Sequence, residues 1–581
     1  MLNPALKTVG LLAALLLILT SCGGNSFQST KLAADQTLKF PIFDDFHTLD
    51  PARMDAETDS EIAQNLFNGL LGYDQNGVLK PDIATSIPKP SADGLSYTFH
   101  LRSGVKFWNG DQVTAKDVLY SWNRAANLQG SYATTLAPVE GYDQVAKNGQ
   151  IDQGQLQQLL VKGDPSVSMN GLTAPDGPLG YTVQVKLVHP AGWFLSAIGY
   201  QSIVGMILDS RAVGSDPLNW WQNPQTLVGT GAYRMVQRAP KQSYDFQAVP
   251  NWWGSPKPTV KQIHLDVLAD LSTGIAAYEQ GRYDLVGYGG YENFPLGEVL
   301  RIRNGGGEEA KELALLPKGR SYWVSFNVKA DNARLAKGPF TDDQPHAKEL
   351  REAFALAIDK EKMARTVCAD LVCKPATGGV IAPGLYGYLG DNTDPLAKFD
   401  PGHAKQLLQT ADPDGSRTRN LTYAFDPENQ LNKAAAEFLQ DQWQRNLGVH
   451  VAIQPVNHSQ FIPDRRAGQY VLSRDGWTVD YNYPQDWFDT NWGTALGCPV
   501  SSCSSGYASP AYDSLLAKAD SEPLEKALPD YQKLGRLLSQ DAVYIPLYYT
   551  DGTFLFKPYL EGAGANNFFD YYWDQIKIHQ H

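Results

Sequence analysis

Apolar residues along this chain recur with two different periods. Tyr97, Phe99 and Leu101 alternate with polar neighbours, and Tyr181, Val183, Val185 and Leu187 do the same. A period of two predicts half-buried strands. Between them, "VTAKDVLYSWNRA" changes to helical spacing. Val118, Trp122 and Ala125 share its inner face, and Thr114 with Asp117 three residues on forms a capping pair. Leu350, Ala353, Phe354, Ala357 and Ile358 in "LREAFALAID" predict another helix, as do Ala436, Leu439, Trp443 and Leu447, which Gly448 stops. "VHVAIQPV" then alternates as a strand. Residues 141–177 are polar and rich in Gly and Gln, and read as a surface excursion. "RNGGGEEAK" near Gly305 reads as a loop, and it lacks the Gly-Lys-Ser/Thr ending of a phosphate loop. No internal repeat is present. The mixture predicts an α/β protein of two or three domains.

The N-terminus departs from both periods. After the single Lys7, an apolar run from Leu11 to Leu19 is too short to span a membrane comfortably, and small residues follow it. Residues 1–21 therefore read as a secretory signal peptide rather than a core helix. Leu19-Thr20-Ser21-Cys22 resembles a bacterial lipobox, in which cleavage before the cysteine leaves Cys22 to carry lipid. Residues 22–36 would form the lipidated cysteine and a tether, flexible at Gly23, Gly24, Asn25 and Ser26. Ordinary cleavage with an incidental Cys22 is the alternative. Cys22 accounts for the odd member of five cysteines. The other four form two C-x4-C pairs, Cys368/Cys373 and Cys498/Cys503. In an exported chain these predict two small disulfide loops. Zinc is the competing reading, although it favours closer spacing and histidine.

Composition narrows the function. The 581 residues are 43% hydrophobic and 19% charged, enough for several cores. The net charge of -13 and the lack of a basic run argue against a nucleic-acid partner. The 13 Trp and 29 Tyr suit a broad ligand-contacting surface or aromatic cores. No second long apolar segment follows Leu19. His-Glu-x-x-His, Gly-x-Ser-x-Gly and a strand-bound Gly-x-Gly-x-x-Gly are all missing. A glycosidase-like carboxylate pair stays open. The adjacent acids Asp44-Asp45 and Asp342-Asp343 read as solvated surface, and His579 and His581 as part of a mobile C-terminus. No catalytic, metal-binding or cofactor motif is present, and the expectation of a non-enzyme with no metal and no cofactor comes from the family resemblance that begins at Asp59.

The stretch from Asp59, "DSEIAQNLFNGLLGYDQNGVLKPDIATSIPKPSADGLSYTFHLRSGVKFWNGDQVTAKDVLYSWNRA", resembles the oligopeptide- and dipeptide-binding proteins of ABC transporters, a family of bacterial extracellular solute-binding proteins. The family's N-L-F-x-G-L, Y-D-x-x-G, D-G-x-x-Y-x-F-x-L-R, F-x-N-G and T-A-x-D-V-x-Y-S segments occur here in order. "VGTGAYRMVQRAPKQSYDFQAVPNWWG", "LREAFALAIDKEKM", "FDPGHAKQLL", "WQRNLGVHVAIQPV" and "YIPLYYTDGTFLFKPYLEG" extend the likeness over nearly the whole mature chain. The resemblance implies a two-lobed periplasmic-binding-protein-like α/β fold, with ligand in a hinged cleft. It implies a discontinuous domain I of about 37–60, 185–316 and 548–581, a domain II of about 61–184 and a domain III of about 317–547. The chain would cross between lobes near Pro317–Tyr322 and Ile545–Tyr549. The partners it implies are a peptide, an ABC permease, and the membrane through lipid on Cys22. The protein would be a monomer, exported and facing the periplasm or the outer cell surface.

"GWTVDYNYP", Gly476 to Pro484, places one acid among aromatics and turn formers. Such surroundings make an ionised carboxylate expensive without a cation or several donors. On residues alone, Asp480 could be a turn-capping acid before Asn482 and Pro484. The family's W-x-x-D-Y segment matches Trp477, Asp480 and Tyr481, and its aspartate binds the peptide α-ammonium. A free amino terminus, with a pKa of roughly 7.7–8.0, is largely charged near neutrality, and recognition of backbone groups tolerates varied side chains. The resemblance also places Gly476, Tyr132, Asp55 and Trp323 along the cleft. It aligns Arg474 with an arginine that reaches the peptide carboxylate and Arg465 with another nearby, with structural ion pairs as the alternative for both. His458, in place of a tryptophan, the polar insertion around Gln150 and the Cys498–Cys503 loop depart from the pattern. The same fold also carries nickel complexes, haem and oligosaccharides, so an oligosaccharide or another small solute is the rival ligand, and a secreted hydrolase is the rival reading from another class.

Overall fold

The computed structural model describes residues 30–74, 76–200, 204–214, 216–287, 294–329, 338–427, 429–494, 505–564 and 572–581. Cys22, Cys498 and Cys503 lie outside these residues, as does the signal segment.

Alternation produces strands where it is predicted. Ser96–His100 pairs antiparallel with Thr182–Lys186, so that Tyr97 faces Val185 and Phe99 faces Val183. The helix Ala115–Leu128 between them starts at Thr114, whose backbone N–H donates to Asp117 Oδ2 at 2.9 Å. Val118, Trp122 and Ala125 are buried. Leu350, Ala353 and Phe354 are buried on the helix Ala347–Leu356. The helix Gln430–Leu447 buries Ala436, Leu439 and Trp443, and ends at Gly448 with φ +77°. The strand Val451–Pro455 follows. Of "RNGGGEEAK", expected as a loop, only Gly306, Gly307 and Glu308 lie between helices; the rest ends the helix Leu296–Gly305 and begins the helix Glu309–Glu312.

Two expectations are corrected. Residues 141–177 do not form a detached polar excursion. They contain the helix Gln153–Lys162 and the strand Leu172–Thr173, which joins Thr182–Lys186, and they bury Val145, Leu156, Val167 and Met169. Buried Gln157 accepts from Tyr120 Oη at 2.6 Å and donates to the Ser210 carbonyl at 3.0 Å, so polarity there is satisfied internally. The C-terminus is not loose either. Lys577–Ile578 pairs with Leu560–Glu561, buried His579 lies 2.8 Å from Glu561, and His581 stacks on Tyr559.

The fold has two lobes. In the first, the strands Thr37–Ile42, Gln262–Val267, Ser243–Ala248 and Tyr233–Ala239 lie side by side over a core that includes Phe40, Phe246 and Trp573. Two long strands leave it. Leu313–Phe326 and Tyr544–Phe556 run antiparallel, from Leu313 opposite Leu555 to Ser325 opposite Tyr544. At one end Leu285–Val286 joins them, and the Asp284 backbone N–H reaches the Lys39 carbonyl at 2.8 Å. At the other end Leu472–Thr478, Leu421–Phe425 and Val451–Pro455 extend the sheet into the second lobe. Register shifts at Pro317/Arg320 and Tyr322/Trp323 interrupt the long pair between its ends, and such bulges bend strands. Cys368 and Cys373 are bridged, joining the helix Lys360–Cys368 to the strand Cys373–Pro375. Among the described residues no helix is long and apolar enough to cross a membrane.

Candidate functional site

The strand Leu472–Thr478 lies antiparallel on Leu313–Phe326, with Thr478 opposite Arg320, Gly476 opposite Tyr322 and Asp475 opposite Trp323. A Cβ on Gly476 would lie 2.7 Å from the Tyr322 ring and 2.8 Å from the Ser321 carbonyl, so this close approach requires glycine. Beyond Thr478 the chain leaves the sheet. The Val479 N–H still donates to Gly319 at 3.1 Å, and Pro484 then starts the helix Gln485–Trp492.

That short turn brings two acids together. The Asp480 backbone N–H donates to Asp486 Oδ2 at 2.9 Å. Asp480 is half-buried and Asp486 is 1% exposed. Burial first, and the neighbouring Asp480 carboxylate second, push the Asp486 carboxyl well above the usual range. Trp477 leans toward Asp486, although its indole N–H lacks a partner of ordinary geometry. Buried Tyr481 donates to Gln485 Oε1 at 2.5 Å, and Gln485 donates to Asp489 at 2.9 Å. From the first lobe, Tyr73 donates to the Ser196 carbonyl at 2.9 Å and lies against Asn482 and Asp486. The result is a pair of carboxylates enclosed by Tyr and Trp rings. A cationic group is what such a pair would favour.

The two arginines are engaged. Arg474 lies 3.2 Å from Asp426 and 4.8 Å over the Tyr322 ring, which packs on Tyr548. Burial opposes ionisation of Asp426, but His458 and Arg474 outweigh it and hold this carboxyl below its usual range. His458 is 3.9 Å from Asp426. Arg465 forms a buried ion pair with Asp475, whose other oxygen accepts from Ser325 at 2.8 Å. Trp323 is 1% exposed and packs on Trp492, so it belongs to the core rather than to an open wall. Tyr132 is half-buried, at the start of the turn Ala133–Leu136. Gly130 just before it abuts the Ala52 carbonyl, which places this turn beside the loop carrying exposed Asp55.

Sequence reasoning missed a second set of charges. Glu57 opens the helix Glu57–Leu66 and pairs with Lys318 at 3.1 Å and Arg320 at 2.5 Å, both near the register shift of the long strands. Arg320 also donates to Thr478 Oγ1 at 3.1 Å. These contacts run from the first-lobe helix to the residue two before Asp480. Nothing local marks them, because the partners are more than 150 residues apart.

The family model described as bacterial extracellular solute-binding proteins, family 5 Middle, matches residues 78–496. The chain is 27% identical over 546 residues to the periplasmic murein peptide-binding protein MppA of Escherichia coli, covering 93% of this chain and 92% of that protein. It is 26% identical over 560 residues to the periplasmic protein YgiS of the same organism, named for deoxycholate binding, with 95% of each chain covered. Haemophilus influenzae OppA in complex with the peptide RPPGFSPFR has the same fold, with a TM-score of 0.71 and 22% identity over 95% of this chain and all of that one.

Proposed function

Because this chain belongs to the family 5 bacterial extracellular solute-binding proteins, we propose that it captures peptides outside the cytoplasm and hands them to an ABC permease. It is an exported lipoprotein, anchored through Cys22, and a binding protein rather than an enzyme. The enclosed Asp480–Asp486 pair carries this reading. The α-ammonium of a peptide is the kind of group that an enclosed pair of carboxylates favours, and the peptide backbone lies across the rings of Trp477, Tyr481 and Tyr73. Arg474 meets the peptide's other end only by loosening its contact with Asp426. Arg465, held by Asp475, supports the site strand from behind. The long antiparallel pair supports a crossing between lobes near Pro317–Tyr322 and Ile545–Tyr549, with domain I at about 37–60, 185–316 and 548–581, domain II at about 61–184 and domain III at about 317–547.

Native mass spectrometry of the chain freed of its first 22 residues tests the reading. Wild type incubated with a mixed peptide pool is expected to retain short peptides, and Asp480→Ala to lose most of them. Retention unchanged by the substitution, or no retained peptide at all, would overturn it.

A further inference from the structure

A second group of ligating side chains lies at the start of the helix Glu57–Leu66. One donor atom each from His47, Asp55 and Asp59 lie within 4.8 Å of one another. They come from the loop between the strand Thr37–Ile42 and this helix, and from the helix's first turn. His47 and Asp55 are exposed, so the group opens to water. Asp59 is its floor, with no exposed surface. Its Oδ1 accepts the His47 backbone N–H at 2.7 Å, which fixes the carboxylate. Its Oδ2 is buried and has no hydrogen-bond partner among the described residues. Folding does not usually leave a buried carboxylate oxygen unmatched, because the lost hydration is not recovered. No Lys or Arg pairs with Asp55 or Asp59 among the described residues, so His47 is the basic side chain of the group.

We propose that His47, Asp55 and Asp59 form a binding site for a divalent transition-metal ion of the zinc class. The donor set selects the ion. An imidazole nitrogen with two carboxylate oxygens suits zinc and its neighbours, whereas calcium and magnesium prefer oxygen alone. Three protein donors on an open face leave a position for water, and the ion supplies what the buried Oδ2 lacks. The site lies ahead of residues 78–496, the part matched by the family model, and shares no residue with the Asp480–Asp486 pair, while Asp55 is also a residue that the resemblance places along the cleft. Its helix begins with Glu57, which holds Lys318 and Arg320 on the long strand. A bound ion therefore braces the loop that precedes this anchor.

The test uses the chain freed of its first 22 residues, purified without an affinity tag, stripped with a chelator and titrated calorimetrically with zinc chloride alone. One ion per chain is expected, with affinity reduced at least about tenfold in both His47→Ala and Asp55→Ala. Both side chains are exposed, so both variants fold, and thermal unfolding of the stripped proteins confirms it. His581→Ala, on the other cluster of histidines, is expected to bind zinc as wild type does. Failure to bind one ion, or binding unchanged in His47→Ala and Asp55→Ala, overturns the proposal. No peptide enters the titration, so the result stands apart from the peptide-binding reading.

Discussion

Asp480 is legible in the sequence as an acid in an aromatic block, but its neighbour is not. Asp486 reads locally as an ordinary acid in the first turn of a helix. Only the turn at Asn482–Pro484 brings it under the Asp480 backbone N–H, and burial together with Asp480 then raises its pKa. Trp323, which the resemblance places along the cleft, is buried against Trp492, because a strand shows its neighbours in sequence but not which face the sheet covers. The raised carboxyl has a measurable consequence. With no ligand, the pair retains a proton to higher pH than a lone carboxyl does. A bound ammonium favours the doubly ionised state, so peptide binding releases protons. Calorimetry near pH 6 in buffers of different ionisation enthalpy is expected to show that release in wild type, and little of it in Asp486→Asn. Equal release in both would place the proton elsewhere.

At the scale of elements, regular periodicity was enough for strands and helices whose apolar face is continuous, such as Ser96–His100 and Ala115–Leu128. It was not enough for residues 141–177, where buried apolar positions are sparse and Gln157 is buried among hydrogen-bond partners. Long-range ion pairs were equally hidden. Glu57 joins the helix Glu57–Leu66 to the strand Leu313–Phe326. Burial pushes its carboxyl up, but Arg320 and Lys318 outweigh burial and hold it below the usual carboxyl range. A depressed carboxyl contributes stability that is present above its unfolded pKa and lost as pH falls through its folded one. Glu57→Gln is therefore expected to lower stability at neutral pH by about 3–5 kcal/mol, since it removes the carboxylate that buried Arg320 and half-buried Lys318 share. The loss should shrink in acid, below the ordinary carboxylate range. Urea unfolding at pH 7 and pH 3.5 checks this, and an equal loss at both would count against the pairing.

For the whole molecule, the two-lobed α/β architecture was legible from the ordered family segments, while the contact between the lobes was not. The Gly192 backbone N–H donates to the Asp520 carbonyl at 2.7 Å across the lobes, beside the Glu522 carbonyl, which accepts from Tyr483 Oη of its own lobe at 3.0 Å. A Cβ on Gly192 would lie 1.9 Å from the Glu522 carbonyl oxygen, so only glycine permits this approach. Gly192→Val is expected to disfavour the touching state and to weaken ligand binding by about tenfold or more, with thermal stability of the ligand-free protein little changed. Binding as tight as wild type would mean that this contact does not accompany ligand capture. The central claim is amine capture by the enclosed acids, and one comparison tests it most directly. A peptide retained by the protein would be titrated calorimetrically in two forms, with a free amino terminus and with that terminus acetylated. The free form is expected to bind at least about a hundredfold more tightly, because acetylation removes the charge that the enclosed acids favour. Equal affinity for the two forms would contradict the account.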